Sequence, residues 1–158
     1  VLEARADRID ILADGTLAIL DYKTGAVPSG PRIAAGDAAQ LPLEAAIAAR
    51  GGFAGVPEAV TAQAHYWRLT GGFEPGRVTD AGALLQRHRK AASAAEAIGA
   101  EAETAWESAR RLAMDYLLGT RPFLARPHPG RQPAGSDYDH LARLGEWAGA
   151  QEATGEGA

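Results

Sequence analysis

The stretch from Ala4 to Gly25 reads ARADRIDILADGTLAILDYKTG, and it decides the fold because carboxylates are threaded into two apolar strand patterns on either side of a turn. Successive side chains of a strand alternate between faces. Arg5, Asp7, Ile9 and Ile11 therefore share one face of the first run, and Leu17, Ile19, Asp21 and Lys23 share one face of the second. Ala13-Asp14-Gly15 lies between them as a hairpin turn. A one-residue change of register moves every side chain to the other face, so the loop length decides which acid meets which. A three-residue loop, a type I turn with Gly15 in the left-handed third position, pairs Leu12 with Thr16 and carries the ladder down to Asp7 opposite Asp21. A two-residue loop, with Asp14-Gly15 as a type I′ turn, instead sets Arg8 opposite Asp21 and Asp10 on the face of Asp21, which makes an ordinary ion pair.

Directly opposed side chains have β-carbons roughly 4.5–5.5 Å apart, and two like charges there are destabilising unless something positive sits between them. A divalent cation supplies that charge. Lys23, two residues after Asp21, puts an ammonium on the same face, within reach of a cation's water and of a phosphate. The combination points to a metal-dependent phosphodiesterase site. The plain counterparts are solvated or paired charges on a hairpin face, and an edge-strand lysine that deters aggregation.

The pattern RADRID, a short hairpin, LDYKTG, and then QLPLEAA at Gln40 to Ala46 resembles the PD-(D/E)XK nuclease superfamily. Within it, the likeness is nearest to the RecB-like nuclease domain that ends the AddB subunit of bacterial AddAB helicase–nucleases. The segment SDYDHLARLGEWA, Ser136 to Ala148, also looks like the end of AddB chains. The resemblance covers nearly the whole chain, although only the first fifty residues carry specific motifs. It implies Asp7 and Asp21 as metal ligands with the backbone carbonyl of Tyr22, Lys23 beside Asp21 as the catalytic lysine that orients or activates the attacking water, and Gln40 as the substrate-binding glutamine of a Q-x-x-x-Y motif. It further implies Mg²⁺ as cofactor, with Mn²⁺ as a substitute. Three departures stand out: Glu44 occupies the tyrosine position, Ala4 stands where a glycine usually precedes the DRID segment, and without cysteine no iron–sulfur cluster can form in this chain.

Composition suits a single domain with one core: 158 residues, 46% of them hydrophobic. No run of ~18 apolar residues suggests a membrane span, and no signal-peptide pattern opens the chain. The formal net charge of −4 argues against an autonomous duplex binder, which ordinarily carries a basic face, but not against a nuclease tethered to a helicase. The basic runs Arg87 to Lys90 and Arg110-Arg111 read as solvated helix faces.

Further along, Ala26 to Gly36 reads as a loop that lies over the site. Asp37 is the expected cap of a helix running to Arg50, with Pro42 in its first turn and Gln40 and Glu44 on one face, turned either to the lysine strand or to water. Val60 to Leu69 reads as a strand with Val60, Ala62, Ala64 and Tyr66 on one side. Thr79 or Asp80 caps a helical region ending at Gly119 and broken near Gly99, with Leu84, Leu85, Ile98, Trp106, Leu112, Leu117 and Leu118 on its core side. His65 and His140 read as packed and surface residues. No internal repeat and no phosphate-cradling P-loop is present.

The expected architecture is α+β: a small mixed sheet flanked by helices, a restriction-endonuclease-like core lacking its first helix, because Val1 opens almost inside the first strand. Residues 1–158 form one nuclease-like domain, N-terminally truncated, with 120–158 a proline-rich strap and short terminal helix. Glu3 does not replace the missing upstream ligand, since four residues of extended chain separate it from Asp7 by roughly 13 Å. By the resemblance, the function is Mg²⁺-dependent, exonuclease-type DNA hydrolysis in a cytoplasmic recombinational-repair complex with an AddA-like partner, the isolated chain being weak or inactive. The alternatives are a catalytically silent module that grips DNA or a partner subunit, and a plain interaction domain.

Overall fold

The computed structural model describes residues 3–73 and 75–123, and the chain divides into two compact units, Val1–Ala113 and Met114–Ala158. The first unit holds a four-stranded mixed sheet of β1 (Arg8–Ile11), β2 (Leu17–Lys23), β3 (Thr61–Arg68) and β4 (Arg77–Asp80), in that spatial order. The β1–β2 and β3–β4 pairs are antiparallel, and β2–β3 is parallel. A parallel neighbour requires a crossover. The crossover carries α1 (Gly30–Ala34) and α2 (Gln40–Ala48), and α3 (Ala81–Arg89) and α4 (Ala94–Leu112) follow β4. This is the mixed-sheet α+β architecture expected.

The turn resolves the register. The Leu12 amide donates to the Thr16 carbonyl, the Gly15 amide to the Leu12 carbonyl, and Gly15 has φ 83°, a conformation glycine adopts without strain. Arg8 pairs with Leu20 and Ile11 with Leu17, so the three-residue loop is the one formed; the paired ladder ends at Arg8, and Asp7 lies at the bend just before it. Asp14 stiffens the turn by accepting from both the amide and the hydroxyl of Thr16, which lowers its carboxyl below the usual range.

Leu17 to Asp21 are all buried, the signature of a strand covered on both faces. On one face Leu17 and Ile19 join Ala64 and Tyr66 of β3 in a core with Leu41, Ala45, Leu85 and Ile98 from the helices. Each such leucine or isoleucine contributes about 1.5–3 kcal/mol on leaving water. The β3 strand departs from plain alternation. Leu17 pairs with Thr61 but Ala18 with Gln63, so Ala62 forms a bulge, and Val60 ends up exposed rather than on the side of Ala64 and Tyr66.

Other expectations need correcting. Residues 30–34 form a short helix inside the anticipated loop, begun by a proline at its first turn. Asp37 does not cap α2, which starts at Gln40 after Ala39 without a side-chain cap. Asp80 does cap α3, its Oδ1 accepting from the Ala83 amide at 3.0 Å. The break in the long helical region lies at Lys90, left-handed at φ 56°, followed by the Ser93 cap of α4, while Gly99 sits within α4. Leu85 and Ile98 are buried as expected, but Leu112, Leu117 and Leu118 are exposed; the last two belong to a π-helical turn, Ala113–Leu118. Arg89 does not lie on a solvated face: it pairs with the buried Glu101 of α4 and donates to the Ala34 carbonyl, tying three helices together. The strap and terminal helix expected for 120–158, with His140 and the Ser136–Ala148 segment, lie outside the described residues beyond Phe123. Among the described residues no helix is long and apolar enough to cross a membrane.

Two glycines give opposite expectations. A β-carbon on Gly82 would lie 2.7 Å from the Ala94 carbonyl oxygen, so Gly82→Ala should destabilise by about 1–3 kcal/mol. One on Gly99 meets nothing within 4 Å on an exposed helical face, so Gly99→Ala should stabilise by about 0.5–1 kcal/mol. Urea denaturation midpoints at unchanged m-value measure both.

Candidate active site

At the carboxyl end of β2 the side chains of Asp21 and Lys23 project on the helix-covered face, where the first turn of α2 meets them. Asp21 is 1% exposed. Lys23 Nζ donates to Asp21 Oδ1 at 3.0 Å and lies 2.7 Å from Oδ2 as an ion pair, without hydrogen-bond geometry to that second oxygen. The same ammonium donates to Gln40 Oε1 at 3.0 Å. Lysine has no acceptor, so the Gln40 oxygen must face it, and Nε2 is thereby turned to Glu44 Oε1 at 3.2 Å. An unbroken chain of contacts results: Asp21, Lys23, Gln40, Glu44.

Asp7 lies just beyond β1, and its Oδ2 accepts from the Tyr22 amide at 2.9 Å. The Lys23 carbonyl accepts from the Leu69 amide on the β3 side. Backbone groups alternate along a strand, so the N–H and C=O of Tyr22 both point toward β1, the side on which Asp7 sits. The Tyr22 ring, by contrast, is on the opposite face, edge-on to Trp67 at 6.0 Å. Among the described residues no three His, Cys, Asp or Glu side chains converge closely enough to enclose a metal ion by themselves.

Two further residues belong to this cluster. Glu44 is 2% exposed, and burial, reinforced by the negative charge of Asp21 and Asp7 and only partly offset by Gln40 and Lys23, pushes its carboxyl up to about 7. Tyr66 pairs with Asp21 across the parallel ladder, its ring 6.0 Å from Lys23 Nζ, and burial followed by the same two carboxylates, Asp21 and Glu44, raises its hydroxyl. The sequence singled out neither for the site. The spacing of four from Gln40 placed Glu44 on the right helical face, but only the α2–β2 packing turns that face to the lysine. Beside the cluster a cleft of about 230 Å³ opens between Glu3 to Arg5 and the Gln40, Leu43, Glu44 and Ile47 face of α2. Asp10 takes no part: it is paired with Arg8 at 2.9 Å on the other face. His65, half-buried on β3, also stands apart.

Glu44 makes the fold pH-sensitive. Its folded carboxyl holds a proton more tightly than the unfolded chain does, so the cost of ionising it is absent below pH 4.5, accumulates as pH rises to about 7, and persists above. Glu44→Gln should therefore raise metal-free stability at pH 8 by about 1–2 kcal/mol, a figure reduced for solvent reaching the cleft, and leave it unchanged at pH 4. Thermal melting at the two pH values measures the difference.

No curated protein and no solved structure matches the chain. Residues 1–132 match the PD-(D/E)XK nuclease superfamily, a span that includes every residue of the cluster from Asp7 to Tyr66. Members of that superfamily are typically nucleases. With the mixed sheet and a D-x-K pair at the end of β2, the chain belongs to the PD-(D/E)XK nuclease superfamily.

Proposed function

We propose that this chain hydrolyses DNA phosphodiesters with Mg²⁺, or Mn²⁺ in its place, as the exonuclease-type nuclease domain of a recombinational double-strand-break repair helicase–nuclease in the cytoplasm, alongside an AddA-like subunit. The observation that carries the reading is the Lys23 ammonium held between Asp21 and Gln40, with the Asp7 carboxylate bonded to the amide of Tyr22 on the same strand end. The donor set suits the cation: two carboxylates, Asp7 and Asp21, and the Tyr22 carbonyl on the Asp7 side match a preference for one or two carboxylates plus waters. The buried Asp21 Oδ2, without a hydrogen-bond donor, is the oxygen such a cation would satisfy. When bound, the cation supplies polarisation of a phosphate oxygen and a more acidic water.

The residues of the chain do the rest. Asp7 and Asp21 would hold the cation, with Asp7 anchored by the Tyr22 amide. Lys23 neutralises Asp21 while the site is empty of substrate, and its charge is in place for the negative charge that grows on the phosphate in the transition state. Gln40 keeps the ammonium at the site by accepting one of its protons, and stands at the edge of the cleft where a substrate contact is made. A half-buried ammonium so anchored loses little freedom when the reaction needs it.

In the helicase–nuclease complex, Lys23→Ala should lower cleavage of linear DNA by ~10²–10³ with DNA binding little changed, the range for losing one preorganised charge-stabilising donor. Asp21→Ala should abolish Mn²⁺ binding in a calorimetric titration. Parental cleavage by Lys23→Ala would remove the main support for the nuclease reading and leave a module that only grips DNA or a partner.

A further inference from the structure

Three buried oxygens at one place in the fold have no hydrogen-bond partner: Glu44 Oε2, the Tyr66 hydroxyl, and Asp21 Oδ2, which is held only by the Lys23 ion pair at 2.7 Å. Thr61 Oγ1 and Trp67 Nε1 are also unpartnered, but Thr61 lies at the far end of β3 and Trp67 on the other face of the sheet. A buried polar group left unpaired costs about 1–3 kcal/mol, and more when it carries charge. The three clustered oxygens come from β2, α2 and β3, and the pairing of Asp21 with Tyr66 and the Lys23–Gln40–Glu44 chain bring them together. Lys23 donates to Asp21 and Gln40 and Gln40 donates to Glu44 Oε1, so Glu44 Oε2 is left without a donor although the Tyr66 hydroxyl beside it has no acceptor of its own. Two carboxylates therefore share one ammonium, and the negative charge of Asp7 is added to theirs. What the cluster lacks is positive charge and a donor on Glu44 Oε2, and a hydrated divalent cation supplies both.

We propose that Glu44 is a working part of the cation site, accepting through Oε2 a hydrogen bond from a water of the hydration shell of the cation that Asp7 and Asp21 hold. This rests on the cation reading above. Contact through water agrees with the tendency of Mg²⁺ to keep several of its waters. It also gives Glu44 a role that a tyrosine at this position does not fill, because a phenol is a far poorer acceptor than a carboxylate. Groups that fix a ligand shell in this way typically change metal affinity 10–100-fold when removed.

The test is calorimetric titration of the chain with Mn²⁺ at pH 8, for the wild type, Glu44→Gln, Glu44→Asp and Asp21→Ala, with circular dichroism to verify folding. Glu44→Gln should bind Mn²⁺ about 10–100-fold more weakly, and Glu44→Asp, which keeps the carboxylate, should recover most of the loss. In a crystal structure of the Mn²⁺-loaded wild type, Glu44 Oε2 should lie within hydrogen-bond distance of a water on the ion. That measurement decides the matter if Glu44→Gln does not fold. Mn²⁺ bound by the wild type and equally by Glu44→Gln, or a loaded structure with Glu44 turned away from the ion's waters, overturns this inference alone. A wild type that binds no Mn²⁺ overturns the cation reading and this inference with it.

Discussion

Three residues, Ala13-Asp14-Gly15, determine the face on which every side chain of the hairpin lies. The left-handed Gly15 closes a loop of odd length, and the pleat then carries that parity to Asp7 and Asp21. An even loop would have put Arg8 across from Asp21 and satisfied the acid with an ordinary ion pair. The odd one leaves Asp21 to be neutralised from its own strand by Lys23, and puts a second carboxylate nearby. The parallel pairing with β3 adds Tyr66 at the same level. The concentration of negative charge at the end of β2 is thus a consequence of turn geometry.

That concentration is costly for the fold, and the structure supports it from elsewhere. Glu44 is held in a place where its charged form is disfavoured, and its own Oε2 and the Tyr66 hydroxyl lack partners. The remainder of the unit follows ordinary rules: Asp80 and Ser93 cap their helices, Leu17, Ile19, Leu41, Leu85 and Ile98 form the core, and the buried Glu101 is paired by Arg89 through Oε2. Apart from Thr61 Oγ1 and Trp67 Nε1, the unsatisfied buried groups of the described residues gather here, and such a gathering is expected at a site of function. The two buried acids of α2 and α4 show the contrast, one locked by an arginine and one left with an open oxygen.

The places where the sequence misled are those where a neighbour outweighed a local preference. Asp37 has the chemistry of a cap, yet α2 starts three residues later at Gln40, and the helix packs chiefly on α4 and more lightly on β2 and β3. Gly99 looked like the helix break, but it sits comfortably on the exposed side of α4, and the chain turns instead at Lys90. Val60 obeys the alternation of its strand in sequence and not in space, because the bulge at Ala62 inserts one extra residue. Arg89 looked solvated within a basic run, and its partner Glu101 lies twelve positions away on another helix.

By itself the sequence determined the hairpin, with a turn of two or three residues around Gly15, and the alignment of Asp21 with Lys23. These follow from a period of two and from glycine's freedom at positive φ, properties of a few consecutive residues. It also set Gln40 and Glu44 on one helical face, by their spacing of four. Only the tertiary structure decided that this face turns to the lysine rather than to water, that Gln40 bridges Lys23 and Glu44, and that Tyr66 closes the cluster from β3. Those meetings depend on the crossover that places α2 over β2 and on the parallel register of β3. Periodicity along the chain specifies which residues share a face, whereas the packing of one element on another specifies what that face meets.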